Sequence, residues 1–177
     1  NRRLEELALR DPLTGLYNHR FVQERLAEEI SREKRLNLPV SLILADIDHF
    51  RAYNEAHGHK EGDVLLVRVA QTLRGIIRAT DVVARLRPTD VVARFGGEEF
   101  ALIATATPKE GAMILCRRIR AAVSAGEFPG QEVFASGRLT MSFGIAEAPA
   151  DAGTRQELME AAETALVRAK QSGRDRV

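Results

Sequence analysis

The stretch Asp90-Val91-Val92-Ala93-Arg94-Phe95-Gly96-Gly97-Glu98-Glu99-Phe100-Ala101-Leu102-Ile103-Ala104 decides the fold. Two apolar arms rich in β-branched and aromatic residues flank a Gly-Gly pair, the pattern of a β-hairpin. Antiparallel pairing is therefore expected in the sheet. Two adjacent carboxylates, Glu98 and Glu99, sit at the bend. Like charges this close raise each other's pKa unless a cation relieves them, and a metal ion is the obvious candidate. The plainer alternative is a solvated tip whose acids keep the hairpin soluble. The hairpin alone does not choose between them.

Working outward, Val40-Ser41-Leu42-Ile43-Leu44-Ala45 reads as a buried strand. Before it, Phe21, Val22, Arg25, Leu26 and Ile30 share a helical face over 21–36, and Pro39 breaks the pattern. After it, Asp48 fits the N-cap of a helix over 49–56. Gly58 and Gly62 bracket a turn before a long helix from Asp63 to about Ile77. Beyond the hairpin come a helix over 109–125, a strand near 139–146 and a last helix near 155–172. Strands alternate with helices, yet a hairpin is among them. This predicts an α+β fold, a mainly antiparallel central sheet flanked by helices.

The 177 residues suit one domain with a proper core, and 45% hydrophobic with 29% charged residues is ordinary for a soluble protein. A net charge of +1 argues against nucleic acid as a partner. A single cysteine, Cys116, excludes an internal disulfide, suits a reducing, cytoplasmic setting and reads as core filler. No apolar run approaches the length of a membrane helix. The four histidines lack zinc-site spacing.

Several motifs, in order, carry a family resemblance. Asp11-Pro12-Leu13-Thr14-Gly15-Leu16-Tyr17-Asn18-His19-Arg20, Leu44-Ala45-Asp46-Ile47-Asp48-His49-Phe50-Arg51 and Asn54 with Gly58-His59-Lys60-Glu61-Gly62-Asp63 precede the hairpin. Met141-Ser142-Phe143-Gly144-Ile145-Ala146 and Ala169-Lys170-Gln171-Ser172-Gly173-Arg174 follow it. Together they resemble the GGDEF family of diguanylate cyclases, in a GGEEF variant, over residues 11–177. The resemblance implies the palm-like fold of nucleotidyl cyclases. Residues 1–10 then read as the end of a signalling helix from an upstream sensory domain, through which the full-length protein could be membrane-attached.

The implied chemistry joins two GTP molecules into cyclic di-GMP with release of two pyrophosphates, each bound by one copy of a homodimer. Asp46, Glu98 and the backbone carbonyl of Ile47 are implied ligands for Mg²⁺, with Mn²⁺ as an alternative. Glu98 is the implied base toward the attacking hydroxyl, and Glu99 supports the metal or orients the turn. Guanine presents two adjacent donors that Asp63 can accept, and Asn54 can meet the same base. Phosphates are expected over the helix start at Phe50 and Arg51, where free amides favour anions, and beside Gly96-Gly97. Lys170 and Arg174 are the implied phosphate cations. Arg51 stands where the family usually has Lys, and the geometry does not transfer automatically. Glu163, Val167 and Asp175 replace the usual Asp, Tyr and Asn and look like packing and surface changes.

One feature departs from the family. Arg78-Ala79-Thr80-Asp81-Val82-Val83-Ala84-Arg85-Leu86 is followed at once by Arg87-Pro88-Thr89-Asp90-Val91-Val92-Ala93-Arg94-Phe95, with seven of nine positions repeated. This is a tandem duplication over 78–95. An odd-length insertion cannot extend a strand in register, and Pro88 lacks an amide hydrogen. One copy, the first by preference, is expected to bulge out as a loop or an added edge strand. The family's inhibitory product site is an Arg-x-x-Asp, matched by Arg87 and Asp90, and by Arg78 and Asp81 in the displaced copy, with Arg118 in support. The rival to an active cyclase is an inactive module that binds GTP or cyclic di-GMP.

Overall fold

A computed structural model describes residues 8–83 and 91–177, with residues 78–83 described by secondary structure alone. Helix α1 (His19–Leu36) starts where Asn18 accepts the amide of Phe21 and ends where Asn37 turns left-handed at φ 54°. Strand β1 (Val40–Ile47) is buried along its whole length, which is why its sequence is almost continuously apolar. Then follow α2 (Phe50–His57), α3 (His59–Val83), β2 (Val91–Arg94) and β3 (Glu99–Thr105). Helix α4 (Lys109–Ala125), a 3-10 turn (Gln131–Val133), β4 (Met141–Ala148) and α5 (Arg155–Gln171) complete the order.

The strands form one sheet in the order β2-β3-β1-β4, every neighbouring pair antiparallel. Helices cover both faces. Ile43, Ala45 and Ile47 pack with Leu65, Val69 and Ile119 on the α3–α4 side. Leu42 and Leu44 pack with Leu26 and Leu166 on the α1–α5 side. Side chains alternate along a strand, so Asp46 follows Leu42 and Leu44 onto the α5 side. That helix lies unusually close. A Cβ on Gly144 would stand 2.2 Å from the Ala162 carbonyl and 2.3 Å from the Leu166 amide.

The sheet's outer edges are partly occupied by the chain itself. On β2 the Arg94 amide donates to the Tyr17 carbonyl at 2.9 Å. On β4 the Phe143 amide donates to the Arg176 carbonyl at 2.8 Å, and the Glu147 amide to Asp151 at 2.7 Å.

Three expectations are corrected. Gly62 lies inside α3, so only Gly58 (φ 87°) turns the chain. Gly62 is instead a place of close packing, because a Cβ there would lie 1.8 Å from Asn54 Oδ1. The first copy of the duplication forms neither loop nor edge strand at its start, since α3 continues through it to Val83. It carries Ala79 where the second carries Pro88, so nothing there stops a helix. The second copy supplies β2. Third, α2 begins at Phe50 with no side-chain cap, so Asp48 is not its N-cap.

Residues 1–7, Arg87 and Asp90, and the side chains of Arg78 and Asp81 lie outside the described residues, and with them the connector and the inhibitory pairs. Among the described residues no helix is long and apolar enough to cross a membrane.

Candidate active site

The end of β1 meets the hairpin tip. Asp46 is registered opposite Glu99, and the Ile47 amide donates to the Glu98 carbonyl at 3.3 Å. From the last turn of α5, Lys170 Nζ comes within 2.8 Å of Asp46 Oδ2. Asp46 is only 4% exposed. Burial pushes its carboxyl up to about 6, with Lys170 pulling it down and the charges of Glu98 and Glu99 pushing it up. A buried acid titrating near neutrality between two further acids is suited to holding a cation.

The donor set fits a hard divalent ion. Among the described residues no three His, Cys, Asp or Glu side chains converge closely enough to hold one alone. Mg²⁺ normally takes one or two carboxylates and completes its shell with phosphate and water oxygens. Asp46 and Glu98 meet that need. Lys170, expected on phosphate, is here the counter-charge of Asp46.

The hairpin turn is held by a residue the motifs did not single out. Arg94 donates to the Gly96 carbonyl at 3.2 Å and, through two nitrogens, to the Gly97 carbonyl at 3.1 and 2.8 Å. Its third nitrogen reaches both oxygens of Asp11 at 3.4 and 3.3 Å. Asp11 also accepts the Thr14 amide and hydroxyl at 2.8 and 2.7 Å. Burial alone would raise the Asp11 carboxyl, but Thr14 and Arg94 together hold it below its ordinary value. The N-terminal motif thereby braces the acidic turn. Neither Gly96 nor Gly97 takes a positive φ. A Cβ on Gly96 would sit 3.0 Å from Glu99 Oε2, close enough that the Glu99 carboxyl would have to shift.

Beside the tip, Phe50, Arg51, Asn54, Glu55, His59 and Glu98 line a groove of about 520 Å³. Asn54 Oδ1 is buried with no hydrogen-bond partner. The oxygen lies against Gly62, and leaving it unpaired costs about 1–3 kcal/mol. Asp63 does not share this groove. It is exposed and opens on a neighbouring one of about 320 Å³ with Leu13, Val64 and Arg68. Arg51 is 90% exposed and paired with Glu55 at 2.9 Å.

On the other side lies the C-terminal turn, with Gly173 at φ 117°, Arg174 at 61° and Asp175 at 47°. Consecutive left-handed residues other than glycine need outside support. Asp48 gives it. Buried at 1% exposure, Asp48 accepts the Ser142 hydroxyl at 2.7 Å, the Thr140 hydroxyl at 2.8 Å and the Asp175 amide at 3.0 Å. The Asp175 side chain is gripped by Arg120 from α4 at 2.7 and 3.1 Å. Asp175 is thus no mere surface change. Glu163 and Val167 likewise line a cavity of about 240 Å³ with Phe95, Glu99 and Lys170.

Arg174 and Arg118 are exposed. Burial pushes the Cys116 thiol far up, in keeping with core filler. Arg94, Asp11, Thr140, Ser142 and Arg120 were missed by sequence reasoning. For Arg94 the available signal was its place directly before Phe95-Gly96-Gly97.

A family model described as diguanylate cyclase, GGDEF domain, matches residues 8–88 and 86–176, with the join inside the duplicated stretch. Diguanylate cyclase DgcP of Pseudomonas aeruginosa is 40% identical over 173 residues, covering 96% of this chain and 24% of that protein. The chain thus spans about a quarter of that relative's length. Among solved structures, diguanylate cyclase SiaD of Pseudomonas aeruginosa, in complex with its activator SiaC, superposes with a TM-score of 0.83. It is 35% identical, and the match covers 99% of this chain and 63% of SiaD. The coiled coil and GGDEF domain of DgcB from Caulobacter crescentus, in complex with c-di-GMP, gives 0.84 at 27% identity, over 99% and 87%.

Proposed function

Because the chain belongs to the diguanylate cyclase GGDEF-domain family, we propose that it condenses two GTP into cyclic di-GMP and two pyrophosphates. The observation that carries this reading is the meeting of Asp46, Glu98, Glu99 and Lys170 at one strand end. Each 3′-hydroxyl attacks the α-phosphate of the opposite nucleotide, and the bond from that phosphorus to pyrophosphate breaks. Glu98 takes the hydroxyl proton. Asp46, Glu98 and the Ile47 carbonyl would hold Mg²⁺ or Mn²⁺, which when bound lowers the nucleophile's pKa and offsets phosphate charge. Lys170 and Arg174 hold phosphate oxygens, with Arg51 and the amides at Phe50 in support.

Guanine enters beside Asn54, whose unpartnered oxygen supports a donor-bearing base, while Asp63 accepts from the same edge out of the adjoining groove. Adenine lacks the donor pair and is rejected. One domain holds one GTP, so two copies face each other, in the cytoplasm where GTP is supplied. An upstream sensory segment sets how often they meet. Product inhibition falls to Arg87, Asp90 and Arg118, or to Arg78 and Asp81.

The test is mass-spectrometric analysis of products from GTP and Mg²⁺ across a range of protein concentrations. Cyclic di-GMP is expected, at a rate per molecule that climbs with concentration and is lost in Glu98→Ala while GTP binding persists. No product, at concentrations where self-association is demonstrated, would replace this reading with a binding module.

A further inference from the structure

The opposite end of β1 carries a second polar anomaly. Val40 and Ile47 stand about 23 Å apart by strand rise, so this end is independent of the proposed catalysis. There, Glu33 on the last turns of α1 is 1% exposed, and neither of its carboxyl oxygens has a hydrogen-bond partner. The nearest cation is Arg32, whose Nε is 3.8 Å from Glu33 Oε1, beyond hydrogen-bonding reach. Glu29, one turn earlier and equally buried, is paired with Arg25 through one oxygen, while its other oxygen has no hydrogen-bond partner and Arg32 stands 3.5 Å from it. Of these two acids, Glu33 is the one that lines a cavity.

That cavity has a volume of about 340 Å³, and Ile30, Leu38, Val40, Ala148 and Pro149 give it apolar walls. The C-terminus of α1 borders it, where the helix dipole favours positive charge. Lys34 also borders it but is exposed at the rim. Glu147 adds a second carboxyl, one oxygen of which already accepts the Lys109 amide at 2.7 Å. Water would satisfy the oxygens of Glu33 without covering the apolar walls.

We propose that this cavity binds a small organic cation, a primary ammonium on an apolar body, with Glu33 accepting its N–H groups. The volume is at the lower end of those that enclose small ligands, and the pairing of one buried acid with aliphatic walls selects such a molecule. The ligand would bridge α1, the start of β1 and the loop after β4.

Titration of the isotope-labelled 177-residue chain with benzylamine, followed by amide NMR shifts, tests the site. Benzyl alcohol, the neutral analogue, is titrated in parallel. Saturable shifts confined to residues 30–40 and 147–153 are expected with the amine. Affinity at least about tenfold weaker is expected for the alcohol, and for the amine on Glu33→Gln, because a charge-assisted hydrogen bond is lost. No saturable shift with benzylamine, equal binding of amine and alcohol, or unchanged affinity in Glu33→Gln would each overturn the proposal. The amine–alcohol comparison uses the unaltered chain, so it decides the matter even if the variant misfolds.

Discussion

Two turns converge on the end of β1, and they are built as opposites. The hairpin turn carries the acids Glu98 and Glu99 and is anchored by a cation, Arg94, which donates to its backbone carbonyls. The C-terminal turn carries the bases Lys170 and Arg174 and is anchored by an anion, Asp48, which accepts a backbone amide from it. In each case the anchor grips the main chain rather than the acids or bases the turn carries. Asp46 lies between them, pushed toward neutrality by its burial, drawn toward ionisation by Lys170 and pushed up further by Glu98 and Glu99. The lesson is that a site can gather acids and bases at one strand end, with Lys170 paired to Asp46, when the scaffold fixes both turns through their backbone.

Breaking the anchors should expose how differently they are seated. The largest effect is expected at Asp48, which is buried and accepts three hydrogen bonds. Asp48→Ala strands two hydroxyls and an amide, and a loss of about 3 kcal/mol should appear in urea unfolding. Arg94→Ala should lose less, about 2 kcal/mol, because the turn it releases lies nearer solvent. There the turnover assayed as cyclic di-GMP should fall by more than the stability does. Equal losses at the two positions would remove the contrast.

The charge balance at Asp46 has a pH signature. Its native carboxyl titrates near 6, against 3.8 in the unfolded chain. Between those values the native state binds more protons, so stability should fall as pH rises through that window. In metal-free buffer the fall should be roughly 1–2 kcal/mol once solvent screening is allowed for. Thermal melts from pH 3.5 to 7 measure it, and Lys170→Met should move the window upward. A flat profile would mean that burial does not hold the native Asp46 carboxyl above its ordinary value.

The smallest effect is expected at Arg120. Its pairing with Asp175 is close to half exposed, so Arg120→Ala should change stability by less than about 1 kcal/mol. Its trace should instead be a raised KM for GTP with kcat little changed, restored in part by Arg120→Lys. An unchanged KM would make the pair ornamental to the turn.

These anchors also mark the boundary of what sequence could tell. The strand read over 40–45, which extends to Ile47, and the helix over 109–125 were legible because apolar patterning and Pro39 are local signals. The meeting of Asp46 with Glu98 was legible because ordered motifs carried it. Asp48 was misjudged because an acid before a helix is a good cap by local rules, and its real partners, Thr140, Ser142 and Asp175, lie far along the chain. Asp175 paired with Arg120 was invisible for the same reason. Gly62 misled differently, since a glycine that admits a neighbour's side chain looks, in sequence, like one that turns the chain. The duplication was read correctly as a repeat and wrongly as a bulge. Of two copies of nearly one sequence, the first continues a helix and the second supplies a strand, and they differ only at Ala79 against Pro88 and Leu86 against Phe95.

The occupied sheet edges have a consequence for assembly. An exposed strand edge invites a neighbour to zip on, and such unions tend toward swapping and fibres. Here Arg94 and Phe143, one on each border near the catalytic end, already spend their amides on the chain's own two extremities. At those points the chain itself takes the place that a neighbouring strand would fill, so the edges are shielded where they come nearest to Asp46.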